Sequence, residues 1–113
     1  MGNGQGVGMK VWVVVAALLL AGTAQAQQID EARLRAEIMS GDTAKDFLIT
    51  DSGAVYVGVL DNGSDRDGYA RYVCEVAKGH ASGSGSRLIK IIDIAAVSRG
   101  DGFKELGSHR CRF

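Results

Sequence analysis

Three consecutive stretches between Ala54 and Val97 leave this chain few ways to fold. From Ala54 to Leu60, Val55, Val57 and Val59 share one parity and Tyr56, Gly58 and Leu60 the other. Successive strand side chains point to opposite faces, so this is a strand apolar on both sides and therefore interior to a sheet. Gly58 has no side chain and predicts a close approach by a neighbouring element. From Gly68 to Gly79, Tyr69, Tyr72, Val73, Val76, Ala77 and His80 recur at helical spacing, with Cys74 beside that face. Arg87 to Val97 reads as a second strand built on Leu88-Ile89-Lys90-Ile91-Ile92-Asp93-Ile94. Strand, helix and strand in this order predict parallel pairing through a right-handed crossover.

The remaining elements attach to that unit. Asp61-Asn62-Gly63 carries turn chemistry, and Asp67 is a candidate helix cap. The Ala81-to-Ser86 run of glycine, serine and alanine reads as an exposed linker. After a turn at Ser98 to Gly102, Phe103 to Phe113 returns as a third strand, antiparallel to the second. Phe103, Cys111 and Phe113 share parity on it unless a bulge at Gly107 resets the alternation. Gln27 to Ser40 is rich in good helix formers, with Asp30 and Glu31 at its start and Gly41 as a stop. Asp42 to Thr50 is read as a short helix or irregular connection. The alternative is a strand over Phe47 to Thr50 that turns at Asp51-Ser52-Gly53. The expectation is a small two-layer α+β domain: a βαββ sheet of about three strands, covered by a disulfide-linked helix, with the N-terminal helix packed nearby.

The N-terminus sets the compartment. Lys10 precedes an apolar run from Val11 to Ala21, and Ala24-Gln25-Ala26 has the small-x-small form of a cleavage site. Residues 1–26 are therefore read as a cleaved signal peptide, the run being shorter than the ~20 apolar residues of a membrane span. Met9 is an alternative start. Thr23 stands where a lipid-modified signal would need cysteine, so no lipid anchor is expected. Residues 27–113 form one small domain with little room for a core. Lys10 is the only charge before residue 27, so this part carries 12 of the 13 basic side chains against 13 acidic ones. That balance offers no attraction for nucleic acid or an anionic membrane. Cys74 and Cys111 are the only cysteines, and in an exported chain they are expected to form one disulfide.

Several constellations invite a chemistry. Asp61, Asp65 and Asp67 resemble a calcium turn. However, with Gly68 at the sixth position of an EF-hand loop, Gly63 and Cys74 would fill the first and twelfth, and neither is a carboxylate. A solvated turn with a helix cap accounts for the three acids. A phosphate site at the same helix start is opposed by Asp65 and Asp67, which already occupy its positive end. His80 and His109 are the only histidines, too few for zinc beside oxidised cysteines. The serines lie in glycine-rich loops without a nucleophile elbow. No catalytic residue, metal ligand or cofactor is therefore assigned. Lys104, Arg110 and Arg112 form a possible basic binding patch, weighed against simple protection of an edge strand by charge.

The functional expectation is a periplasmic or secreted, non-catalytic binding, accessory or inhibitor-type factor of the envelope. Its partner would be another envelope or extracellular protein. The alternative is a small hydrolase using His109 or a carboxylate near the Asp61–Asp67 turn.

Overall fold

A computed structural model describes residues 27–113. The expected signal peptide lies outside the described residues. The order of elements is β1 (Gln28–Ile29), α1 (Glu31–Met39), β2 (Ala44–Ile49), β3 (Val55–Val59), α2 (Asp67–Lys78), β4 (Ala81–Ser82), β5 (Ser86–Asp93), α3 (Ile94–Ser98) and β6 (Glu105–Arg112). The domain is α+β with a mixed sheet and a Cys74–Cys111 disulfide. Among the described residues no helix is long and apolar enough to cross a membrane. A disulfide in such a small domain fits an oxidising compartment.

The main sheet has the order β2-β3-β5-β6. β3 and β5 are parallel, with α2 in the crossover; β2 pairs antiparallel with β3, and β6 with β5. The strand-helix-strand reading therefore stands. A fourth strand joins the sheet where a short helix or irregular connection was expected. Ala44–Ile49 forms a hairpin with β3, closed by Gly53 N–H donating to Thr50 O at 2.8 Å. The reason is tertiary. Phe47 is buried in the core, and the strand covers the edge of β3 that would otherwise expose unpaired backbone.

Register places the side chains in rows. Phe47, Val57, Ile91 and Gly107 align across the four strands, as do Ile49, Val55, Ile89 and His109. α1 covers this face over β2, and α2 covers it over β5 and β6. Leu34 and Ile38 of α1 and Ala70, Val73, Cys74 and Ala77 of α2 are buried there with Phe47, Val55, Val57, Val59, Ile89, Ile91 and Cys111. The core stripe of α2 is thus turned about one residue from the expected one, and Tyr72 is half exposed. The S–S bond to Cys111 draws Cys74 to the centre of the stripe. Ala70 and Ala77 then let the helix lie close to the sheet.

Other boundaries moved for local reasons. The N-terminal helix begins at Glu31, because Asp30 is extended and its side chain accepts from Arg33 N–H. Gln28–Ile29, expected to be helical, instead pair with Ala81–Ser82, so the linker-like run itself contains a short strand. Asp67 does not cap α2; it lies in the first turn, behind Arg66. Its carboxylate accepts from Ser108 N–H at 2.8 Å instead. β5 ends at Asp93, whose carboxylate accepts from Ala95 and Ala96 N–H and so starts α3 within the stretch expected to be strand.

The parity expected to be shared by Phe103, Cys111 and Phe113 is broken by a bulge next to Gly107. Ile91 pairs with Gly107 but Ile92 with Glu105, leaving Leu106 as the extra residue. Cys111 and Phe113 keep the helix side, whereas Phe103 moves to the other face and packs against Tyr56. The bulge lies where α2 begins. A Cβ on Gly107 would lie 2.3 Å from Arg66 C and 2.5 Å from Asp67 N. Only glycine lets the helix start touch β6 there.

Candidate functional site

The face of the sheet away from α1 and α2 carries a strongly apolar concavity. Its rows are Asp46, Gly58, Ile92 and Glu105, then Leu48, Tyr56, Lys90 and Ser108. Below them Leu88 faces Arg110 and Ser86 faces Arg112. α3 folds back over the upper row. Ile94 lies so near Gly58 that a Cβ on that glycine would be 2.9 Å from Ile94 Cδ1. The close approach expected at Gly58 is therefore made by Ile94.

Between these elements runs an apolar groove of about 170 Å³, lined by Leu48, Tyr56, Ile92, Ile94, Val97 and Phe103 among others. Phe103 is 59% exposed and Leu48 36%. Phe103 stands edge-on to Tyr56, with ring centroids 5.5 Å apart. Lys90 lies over the Tyr56 ring and pairs with Glu105 at 3.4 Å, so its charge is compensated on the same face. Arg110 and Arg112 lie exposed on the same face at the other end of β6 and form no ion pair among the described residues.

The three basic residues proposed from the sequence are not one patch. The bulge removes Lys104 from the parity of Arg110 and Arg112. Its carbonyl accepts from Asp93 N–H, and its ammonium lies 3.6 Å from Asp61. β6 is indeed an edge strand, and its outer groups are partly occupied: Arg66 N–H donates to Leu106 O, and Ser108 N–H to Asp67. Pairing with a further strand is blocked there, while the outer backbone at Arg110 and Arg112 is flanked by charge.

The acidic turn is occupied by its own backbone. Asp61 accepts from Gly63 N–H, Asp65 from Asp67 N–H, and Asn62 from Ser64 N–H. The Gly63 hydrogen bond, helped by Lys104 and Arg66, holds the Asp61 carboxyl below its ordinary range. Arg66 donates to Leu60 O, and its Nε is buried with no partner among the described residues. No group of three His, Cys, Asp or Glu side chains among the described residues stands close enough to hold a metal ion. Tyr69 and Tyr72 pair at 5.6 Å on the flank of α2, where burial raises the Tyr69 phenol above its ordinary value.

His80 Nε2 lies 2.6 Å from Glu37 Oε1, and its backbone carbonyl accepts from Asp30 N–H. This contact ties the end of α2 to α1. His109 stands on the helix side of β6, half-buried. Among the described residues neither histidine is hydrogen-bonded to a hydroxyl. A second concavity, polar and wide open, lies between the β2–β3 turn and the Ser84–Arg87 segment. Arg87 spans it, donating from Nε to Gln27 Oε1 and from Nη1 to Gly53 O.

No family model, curated protein or solved structure matches this chain. The apolar groove was not anticipated from the sequence as a site. Its signals were an Asp followed by Ile-Ala-Ala-Val, which is a cap and a helix, and the parity change at Gly107.

Proposed function

We propose that this protein is an exported, periplasmic or secreted, non-catalytic binding module, an accessory or inhibitor-type factor of the envelope. The sheet face that α3 covers only in part is its contact surface for another protein. One observation carries the reading. Parallel strands are ordinarily covered on both faces, yet β3 and β5 are fully covered on one only; on the other, α3 covers the upper row and the rest presents Tyr56, Leu48 and Phe103 around a groove. Exposed apolar side chains gathered beside charged ones characterise protein contact sites, and aromatic residues are enriched in them. Arg110 and Arg112 supply a charged margin that would steer an acidic partner.

The hydrolase alternative draws less support. The carboxylates of the Asp61–Asp67 turn accept backbone hydrogen bonds, and His109 lies on the sheet face opposite the groove.

The test is capture from an envelope fraction by the immobilised protein, with the retained protein then identified. Phe103→Ser with Leu48→Ser is expected to abolish recovery of a specific partner. Arg110→Glu with Arg112→Glu is expected to weaken it and to remove its salt dependence. Equal recovery by wild type and both variants would refute the assignment of this face.

A further inference from the structure

We infer that Gln27 is a modification site: once it is the chain terminus, its side chain closes on its own α-amine to give a five-membered lactam, with Arg87 polarising the reacting carbonyl. The inference rests on the export reading, because cleavage after Ala26 is what makes Gln27 terminal.

The observation is how the fold holds this residue. Arg87 Nε donates to Gln27 Oε1, while Arg87 Nη1 donates to Gly53 O at 3.0 Å. The guanidinium is therefore anchored to the β2–β3 turn and aimed at the glutamine carbonyl. Gln27 Nε2 donates to Gln28 O at 2.9 Å. A Cβ on Gly85 would stand 3.3 Å from Gln27 Cβ, so the residue rests against the Gly85 backbone. Immediately after it, Gln28 and Ile29 are paired with Ser82 and Ala81. The terminal amide is thus placed by a strand pair on one side and by a cation on the other.

The step balances without a cofactor. The neutral α-amine attacks Cδ, and negative charge develops on Oε1, where the Arg87 donor already lies. The Cδ–Nε2 bond then breaks, and Nε2 leaves as ammonia with the proton that the attacking amine gives up through solvent. The product is lighter by one ammonia, about 17 Da. Closure removes the α-ammonium, a second positive charge on the residue that Arg87 holds, and like charges at short range are unfavourable. Because the amine must be neutral, the rate rises with pH up to its ordinary pKa of about 7.7–8.0.

The experiment is intact-mass and N-terminal peptide analysis of the full chain, exported under its own leader and incubated near neutral pH. A terminus at Gln27 that progressively loses one ammonia is expected. Arg87→Met is expected to slow the loss about tenfold, a smaller effect than a donor gives in a closed active site because this one is open to water. Arg87→Lys should fall between the two. If Arg87→Met does not fold, reduced wild type in urea serves instead, since unfolding parts Gln27 from Arg87; it must close more slowly than the native protein. A Gln27 amine that persists, or equal rates with and without the Arg87 contact, would overturn the inference. A terminus at another residue would overturn it too, and the mass would show that the cleavage reading had failed first.

Discussion

Replacing Gly107 by alanine should be the most damaging single-methyl change in this protein. The new Cβ would lie 2.3 Å from Arg66 C, 2.5 Å from Asp67 N and 2.7 Å from Arg66 O. All three are backbone atoms, so no side chain can rotate away, and the start of α2 must separate from β6 by roughly an ångström to reach ordinary contact. Overpacking against a rigid wall costs typically ~1–3 kcal/mol. The separation also stretches two hydrogen bonds that join the same elements, Arg66 N–H to Leu106 O and Ser108 N–H to the Asp67 carboxylate. The first contributes on the order of 1 kcal/mol and the charged one about 1.5–3 kcal/mol, the latter at the lower end where water has access. A loss of about 3–5 kcal/mol follows, a large part of the ~5–15 kcal/mol that holds a small domain together. Urea titration followed by far-ultraviolet circular dichroism measures it, with two comparison variants. Gly58→Ala meets a side chain, Ile94 Cδ1 at 2.9 Å, which can turn aside, so it should cost about 1 kcal/mol. Gly63→Ala meets nothing within 4 Å and has only its positive φ of 84° to oppose it, again about 1 kcal/mol. A Gly107→Ala protein within 0.5 kcal/mol of wild type would refute the contact between helix start and strand on which the placement of α2 depends.

Two further outcomes concern the same framework. Cys74→Ala with Cys111→Ala opens a loop of sequence separation 37 and should lower stability by about 4 kcal/mol on the chain-entropy account, read as a lower urea midpoint with a somewhat steeper slope, since the freed unfolded chain exposes more surface. An unchanged midpoint would mean that the staple adds nothing to the fold. Asp61 is held below its ordinary carboxylate pKa in the folded state, so the stability it contributes is fully present above the unfolded value of 3.8 and is lost as pH falls through the lower folded value. Asp61→Asn should therefore flatten the acid limb of the stability–pH curve below about pH 4 and leave the neutral region unshifted by titration; an identical acid limb would show that the Gly63 and Lys104 contacts do not persist in solution.

Much of this fold is legible locally. The alternation at Val55, Val57 and Val59, the helical spacing through Val73 and Ala77, and the isoleucines of β5 each announce an element whose period is set by backbone geometry alone. Their order then predicts parallel pairing, since a strand-helix-strand run supplies the crossover that a parallel return needs. The disulfide was expected from there being two cysteines in a chain read as exported. What the residues cannot show by themselves is which competing local preference wins. Ala44–Ile49 has no strong period, and it becomes a strand because the exposed edge of β3 needs hydrogen-bond partners and Phe47 needs burial. Asp67 looks like a cap, but the N–H of Ser108, forty-one residues away in sequence, takes its carboxylate instead. The proposed site shows the same division. Arg110 and Arg112 were visible as a charged edge. The groove on the same face exists only because the bulge at Leu106 and Gly107 turns Phe103 onto the side of Tyr56, and because Asp93 ends β5 so that Ile94 falls on Gly58. Strand parity, helix period and cysteine number are properties of neighbours along the chain. A bulge, a long-range carboxylate and the part of a sheet face left open depend on contacts between distant segments, and only the packed molecule decides them.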